Sequence, residues 1–257
     1  MGLLQKFFGK YDASKPEKTD PWLEYSAAVA ESLGCKCHYF PPDNDIWPAQ
    51  AAYLIALRNR DITPVLLVLN EDYKMLPEYS AEQRDDLLNK PLIDGKKWLD
   101  ESFAELQADI ELHEGGDYWQ EELIGQMSGG QKLQMLITGW QENLVRSQPM
   151  LLLEIPTDKP WEVFAWLQFG GWNECPLPEV HMAVCKYWYE KFRARPLVIS
   201  ADTIEYHLTA PIPIADAMDT AKEQCAFCSD IVLQGTGSIG RLADCLHRSS
   251  SWYFWWD

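Results

Sequence analysis

The sequence has no excess of positive charge and no apolar run long enough to cross a bilayer. Its 22 Lys and Arg face 39 Asp and Glu, which gives a net charge of -17. Because binding to nucleic acid phosphates requires a basic surface, the composition excludes an ordinary nucleic-acid binder. The segment Met1–Lys10 has neither a long apolar region nor a small-residue cleavage site, so it does not resemble a secretory signal. We expect a soluble, cytoplasmic, acidic protein without a membrane span.

An even set of cysteines, as in a disulfide-linked secreted protein, is also missing. The chain has seven, which we expect to be reduced thiols in a cytosol. The pair Cys225 and Cys228 has C-x-x-C spacing, and Cys35 and Cys37 precede His38. Zinc would need these two clusters to meet in space, and redox chemistry would need C-x-x-C at a helix N-terminus. We interpret these four cysteines as small buried apolar residues, and we expect no metal and no cofactor.

Catalytic motifs are missing or incomplete. The run Met127–Gln131 reads like the signature loop of transporter ATPases, but the phosphate-binding G-x-x-x-x-G-K-[ST] that it would need is absent. The run Gly235–Gly240 fits G-x-G-x-x-G, yet it lies too near residue 257 for the second strand of a dinucleotide fold. The sequence contains neither H-E-x-x-H nor G-x-S-x-G. These absences argue against an enzyme without deciding the question.

Residues 1–19 are predicted to form a flexible tail, 20–130 an N-terminal α/β region and 148–257 a C-terminal domain. In the first region, helices are predicted after Asp20-Pro21 and over 95–112, and strands over 37–40 and 64–69. The Gly-rich, polar residues 114–131 are predicted to be a loose boundary.

The second half alternates strands and helices in the same way, with strands predicted at 150–155, 197–200, 204–208, 231–233 and 252–256. This alternation predicts an α/β or α+β fold in which helices pack on mixed sheets. The element order at 20–69 is similar to that at 179–233, which raises the hypothesis of two related αβ halves.

Twelve tryptophans are an unusual number for this chain, and they are dense in its last residues. In the run Trp252–Trp256 every residue is aromatic, so both faces of a strand would carry aromatic rings. We interpret this run as a central strand that is buried on both sides. The alternative is an aromatic wall of a ligand or peptide groove.

Five segments in order resemble the family called domain of unknown function 4253, over roughly residues 148–257. They are Gly170–Pro176, Tyr187–Glu190, Ala226–Val232, Gln234-Gly235 and Trp252–Asp257. Where the family tends to read Cys-Pro-Asp, this chain has Cys228-Ser229-Asp230. The resemblance implies a bacterial-type cytoplasmic protein and brings no reaction, cofactor or catalytic residue.

The resemblance nominates seven positions at loops or element ends: Trp172, Asn173, Cys228, Asp230, Gln234, Trp252 and Asp257. Polar side chains at such positions either bind a ligand or satisfy the backbone, and we favour bracing of turns over ligand binding.

Two functional hypotheses follow. The first is an immunity-like protein-binding module whose acidic face, including the acidic stretch 101–122, binds a basic partner. The second is a small-ligand binder or enzyme with a pocket near Trp172, Asn173, Asp230 and the terminal aromatic strand. Oligomeric state is not predicted by any feature of the sequence.

Overall fold

The computed structural model describes residues 20–42, 47–69, 80–128 and 148–257. The predicted flexible tail at 1–19 and the residues Gly129–Gln131 of the ATPase-like motif lie outside this described part. Fourteen regular elements are referred to below: α1 (Pro21–Leu33), β1 (Lys36–Phe40), α2 (Trp47–Ala56), β2 (Thr63–Val68), α3 (Ala81–Asn89), α4 (Gly95–His113), β3 (Met150–Ile155), α5 (Val163–Leu167), α6 (Pro178–Phe192), β4 (Arg195–Ile199), β5 (Thr203–His207), α7 (Ile214–Phe227), α8 (Ile239–Leu246) and β6 (Ser251–Trp255). A short 3₁₀ turn covers Pro160–Glu162, a first π-helix covers Tyr118–Ile124 and a second covers Ile231–Thr236.

Helix boundaries follow local chemistry where the sequence supplies caps. Asp20 caps α1 by accepting a hydrogen bond from the Trp22 backbone N–H at 3.0 Å, and Pro21 occupies the first helical turn. Gly34 ends that helix in the left-handed conformation, with φ 63°. Asp94 caps α4 in the same way as Asp20 caps α1. These predicted helices are confirmed.

One mixed sheet joins both halves of the chain. Its strand order is β1-β3-β2-β4-β5-β6, and β2 with β4 is the parallel pair while the other neighbours are antiparallel. β3 therefore lies between two strands of the 20–130 region, whereas β4, β5 and β6 are neighbours in chain order. The α/β fold class is confirmed, the two halves arrange their strands differently, and the division at residues 130–148 stays a prediction.

The two faces of the sheet bury cores of different size. The larger core packs α4, α6, α7 and α8 on one face around buried residues such as Trp188, Phe227 and Phe254. The smaller core packs α2 on the other face through Tyr53 against Leu66 and Leu152. β2 and β3 are almost wholly buried because both faces of these strands are covered, which explains the apolar runs at 64–68 and 150–153.

Two local predictions differ from the structure, and one helix was not predicted. The predicted strand at 231–233 is the second π-helix. The predicted loose boundary at 114–131 contains the first π-helix, which buries Trp119 and Leu123. The helix α3 was not expected, because its sequence is mostly polar and shows no apolar stripe.

The predicted central position of the terminal strand is wrong. β6 pairs with β5 and lies at the end of the strand order, so it is an edge strand. Trp252 and Phe254 are buried in the larger core, whereas Tyr253 and Trp255 on the other face are only partly buried. Aromatic residues on both faces therefore did not require a central position.

Candidate functional site

Four of the nominated residues meet where the chain leaves β6. The Asn173 side-chain amide donates a hydrogen bond to the backbone oxygen of Asp257 at 2.8 Å. The Asp257 backbone N–H donates to Asp230 Oδ2 at 3.2 Å, and Gln234 Nε2 donates to Asp230 Oδ1 at 3.1 Å. We call Asn173, Asp230, Gln234 and Asp257 the terminal brace. The side chains of Asn173 and Asp230 bind the backbone oxygen and the backbone N–H of Asp257, and Gln234 binds Asp230.

The loop before α6 positions Asn173 through tight backbone geometry. Gly170 and Gly171 have φ of 109° and 87°, and Asn173 itself has a positive φ of 45°. A Cβ on Gly170 would lie 1.9 Å from the backbone oxygen of Pro176, so this position also requires glycine for space. The Cys175 backbone N–H donates to the Trp172 oxygen at 2.8 Å and closes the turn that presents Asn173.

Cys228, two residues before Asp230 of the brace, forms a hydrogen bond to β6. Its thiol donates a hydrogen bond to the Trp255 backbone oxygen at 2.9 Å. Burial raises the pKa of the Cys228 thiol to about 12, so the group is a neutral donor and a poor nucleophile. Cys225 is likewise buried, so the prediction of buried thiols is confirmed for this pair. It is wrong for Cys35 and Cys37, which are only partly buried in or beside the outermost strand β1.

Beneath the brace lies an aromatic cluster centred on a fully buried imidazole. The ring of His181 packs against Phe164, Phe169, Phe227 and Trp256, with ring centroids 5.1–5.5 Å apart. We call His181 and these four rings the His181 box. Trp172 covers its outer side by an edge contact with Phe169 at 4.8 Å.

The His181 box disfavours a positive charge on its imidazole. Burial lowers the pKa of His181 to about 3, so the imidazole is neutral at physiological pH. Its Nε2 lies 3.4 Å from Cys175 Sγ, while Nδ1 has no hydrogen-bond partner in the described part of the chain. Burial, and then the neighbouring Cys228, raise the pKa of the Cys175 thiol. The Cys175–His181 pair is therefore a poor nucleophile and base, which agrees with the absence of a catalytic motif.

The nominated Trp252 has a different position from the brace residues. It lies in the larger core, where its ring contacts Trp188 at 5.4 Å and Tyr206 at 6.4 Å. Its role as a packed core residue explains why a family motif would contain it without any ligand.

One stretch of the chain contains the five segments, the terminal brace and Trp252. Residues 151–257 match the model of DUF4253, a domain of unknown function. The resemblance drawn from the sequence is thereby confirmed. Searches of curated proteins and of solved structures find no match to the chain.

The DUF4253 match contains all seven nominated residues and the His181 box. It begins at the second residue of β3 and runs through β6, so β1 and β2, which flank β3 in the sheet, lie outside it. No group of three His, Cys, Asp or Glu residues within the described ranges could hold a metal ion. The helices within these ranges are too short or too polar to span a bilayer.

A second candidate surface lies outside the DUF4253 match, on α4 and the first π-helix. Nine carboxylate side chains are exposed there, and the sequence from 98 to 131 contains no Lys or Arg. We call this set the acidic face: Asp100, Glu101, Glu105, Asp109, Glu111, Glu114, Asp117, Glu121 and Glu122. Lys96 pairs with Asp100 and Lys97 pairs with Glu101, while the His113 ring nitrogen Nδ1 lies 3.4 Å from Asp109 Oδ1.

Exposed apolar side chains interrupt the acidic face. Leu112 is 78% exposed and Tyr118 is 41% exposed, whereas Phe103 on the inner side of α4 packs against Trp119 at 5.4 Å. The acidic stretch is evident in the sequence, but the exposure of Leu112 was not predicted from it. Leu99, Phe103, Leu106 and Ile110 form the inner apolar stripe of α4. Leu112 does not share the helical spacing of this stripe, and this could have indicated that it is exposed.

A buried carboxylate inside the DUF4253 match was also missed. Glu223 on α7 is 5% exposed and accepts hydrogen bonds from Tyr187 Oη at 2.7 Å and Trp188 Nε1 at 3.2 Å. The Lys191 ammonium lies 3.6 Å from Glu223 and also donates to Tyr187. This network satisfies the buried charge and ties α6 to α7, which is a structural role.

Proposed function

We propose that this protein is a cytoplasmic, bacterial-type, immunity-like protein-binding module whose acidic face binds a basic protein. The observation that carries the proposal is the acidic face itself, with the exposed Leu112 among its carboxylates. Complementary charge accelerates association and selects the partner, and a buried apolar anchor adds affinity.

Helix electrostatics support a role beyond general solubility. Glu111 lies in the last turn of α4 and Glu114 caps its C-terminus, where the helix dipole disfavours negative charge. Solubility would be served equally by carboxylates at helix N-termini, where they also stabilise the fold. The placement of these charges thus costs stability and is consistent with selection for binding.

The test is a pull-down from native lysate at low and at high salt with wild-type protein and a triple variant, Glu105→Gln, Asp109→Asn and Glu114→Gln. We expect wild-type protein to retain a basic protein at low salt and to lose it at high salt, because exposed charges are screened. The triple variant should lose that protein at low salt.

A matched variant removes the same number of exposed carboxylates elsewhere: Glu24→Gln, Glu31→Gln and Asp219→Asn. It should behave like the wild type. Equal loss from both variants would show that net charge alone matters, and absence of any basic partner from the wild type would refute the proposal.

The terminal brace supports a second candidate function, a small-ligand site or an enzyme pocket near Trp172. Asn173 is exposed and Asp230 is partly exposed, so neither polar group is sealed in the core. A thermal-shift screen with nucleotides, sugar phosphates and amino acids tests this candidate. A genuine ligand should raise the melting temperature of wild type and of Asp219→Asn but not of Asp230→Asn, and a screen without such a ligand would count against this function.

A further inference from the structure

Cations and aromatic rings gather where α6 meets β4, within the DUF4253 match. The rings of Trp161 and Tyr189 pack against each other with their centroids 5.7 Å apart. The Lys186 ammonium lies 5.9 Å from the centroid of the Trp161 ring. The guanidinium carbons of Arg193 and Arg195 lie 5.2 Å and 5.0 Å from the centroid of the Tyr189 ring. We call these five residues the cation–aromatic cluster, which concentrates three positive charges in a chain of net charge -17.

The two arginines of the cluster differ from its lysine in their ion pairing. The Lys186 ammonium lies 3.9 Å from a carboxylate oxygen of Glu190. Within the described ranges neither Arg193 nor Arg195 pairs with a carboxylate, and Arg195 donates a hydrogen bond to the Tyr189 hydroxyl at 3.1 Å. Arg195 is only partly exposed. Because a charge that is partly removed from water is unfavourable without a counter-charge, this guanidinium favours a bound anion.

The positive charge of Arg195 acts on groups of two neighbouring elements. Arg195 lies directly opposite His207 in the pairing of β4 with β5. Burial, and then the charge of Arg195, lower the pKa of His207. Burial raises the pKa of Tyr53 on α2 to about 12, and the charge of Arg195 opposes this rise. Since no carboxylate of the described residues pairs with Arg195, its field is available to a negatively charged ligand.

Contact with the Tyr189 ring does not consume the hydrogen-bond donors of the two arginines. A guanidinium has five N–H donors at the edge of its plane, whereas an aromatic ring contacts its face. Arg195 uses one nitrogen for the Tyr189 hydroxyl, and Arg193 is exposed to solvent. The planar fork of the remaining donors matches two oxygens of a phosphate group.

We propose that Arg193 and Arg195 form a binding site for the phosphate group of a small molecule, either inorganic phosphate or a phosphate monoester. Tyr189 holds both guanidiniums in place, and Lys186 adds a third positive charge. The site is independent of the acidic face, which lies on α4 and the first π-helix. Carboxylates farther away than about 8 Å are screened at physiological ionic strength, so they do not prevent binding of a small anion. They disfavour a long polyanion such as a nucleic acid, which would extend across them.

Isothermal titration calorimetry of the full chain with inorganic phosphate and with glycerol phosphate tests the site, with sodium chloride of equal ionic strength as the blank. We expect at least one of the two phosphates to bind, and the tighter one identifies the source of the phosphate group. Nuclear magnetic resonance of the histidine rings gives a local measurement. A bound anion offsets the charge of Arg195, so it should raise the pKa of His207. The ring signals of His38, on β1 at the opposite end of the strand order, should not move.

Three variants locate the anion on the protein. Arg195→Lys keeps the positive charge but removes the planar fork, and it should weaken phosphate binding at least roughly tenfold. Arg193→Gln removes an exposed charge and should weaken binding roughly threefold, since exposed ion pairs contribute less than partly buried ones. Arg58→Gln, at an exposed arginine after α2, is the matched control for Arg193→Gln and should bind like the wild type.

Weakening that is confined to the two cluster variants, together with a raised pKa of His207, would support the site. Absence of binding of both phosphates to the wild type would overturn it. Binding that Arg195→Lys leaves unchanged, or that does not alter the pKa of His207, would place the anion elsewhere and would also overturn it. Equal weakening by Arg193→Gln and Arg58→Gln would show an effect of net charge alone, which contradicts a site.

Discussion

His181 shows how a single residue can make stability depend on pH. Its pKa falls from 6.5 to about 3 on folding, because burial in the aromatic box disfavours the charged ring. The unfolded chain therefore binds an extra proton below pH 6.5, and the free energy of unfolding decreases as the pH falls from 6.5 towards 3. Above pH 6.5 this contribution is constant.

The first prediction compares wild type with His181→Gln by urea unfolding at pH 6.5 and pH 5.5. The wild type should lose about 1 kcal/mol more than the variant over this interval, because only the wild type has an imidazole at position 181 that takes up a proton on unfolding. The lowered pKa of His207, caused first by burial and then by Arg195, is common to both proteins and cancels in the comparison. The comparison uses the pH-dependent difference, so a lower absolute stability of the variant does not affect it. Parallel pH profiles would show that His181 is charged or solvated in the folded protein.

Glu114 provides a second residue-scale prediction. It caps the C-terminus of α4, where its charge opposes the helix dipole. Glu114→Gln should raise the free energy of unfolding by roughly 0.3–1 kcal/mol at low ionic strength. Glu82, in the first turn of α3, is the matched control, since Glu82→Gln should lower stability or leave it unchanged. A loss of stability in Glu114→Gln would mean that the carboxylate has a stabilising contact.

At the scale of elements, the chain segment after the first π-helix packs closely on α8. Ser128 donates two hydrogen bonds to the buried carboxylate of Asp244, from its backbone N–H at 2.7 Å and its hydroxyl at 3.0 Å. A Cβ on Gly240 would lie 2.5 Å from the backbone carbonyl carbon of Gln126. Gly240, the last glycine of the G-x-G-x-x-G run, is therefore required for packing against Gln126. This packing role agrees with rejection of a dinucleotide site.

Gly240→Ala should destabilise the protein by roughly 1–3 kcal/mol, because the contacted atoms belong to the backbone and cannot rotate away. Thermal or urea unfolding measures the change. Gly116→Ala is the control, since a Cβ there would meet nothing within 4 Å, and it should be neutral or slightly stabilising. A neutral Gly240→Ala would show that residues 125–128 do not dock on α8.

At the scale of the whole molecule, strand order makes the two predicted regions depend on each other. β3 pairs with β1 and β2, and β2 also pairs with β4, so residues 148–257 alone would leave β3 without a neighbouring strand. Unpaired strands with apolar faces expose backbone groups and promote aggregation.

We therefore expect residues 148–257, expressed alone, to lack the near-ultraviolet circular dichroism of packed tryptophans, and the full chain to unfold in one transition. Co-expression with residues 1–130 should restore soluble, packed protein. A fragment that is monomeric and unfolds cooperatively by itself would show that the DUF4253 match is an independent domain.

Most helices and the strands β1 to β6 were predictable from the sequence alone. Those predictions succeeded because the signals are local: Asp20 and Gly34 mark the ends of α1, and the apolar runs at 64–68 and 150–153 reflect burial on both faces of β2 and β3. The π-helix at Ile231–Thr236 was predicted as a strand, since a short apolar run has no period that separates the two.

The residues that meet across long distances in the chain could not be predicted from local signals. The insertion of β3 between β1 and β2, the edge position of β6 and the closure of Asn173 and Asp230 on Asp257 all depend on pairings far apart in the chain. The exposure of Leu112 likewise depends on which side of α4 the rest of the fold covers. Composition and spacing specify each helix and strand, but the side that faces solvent is fixed by the elements that pack on the other side.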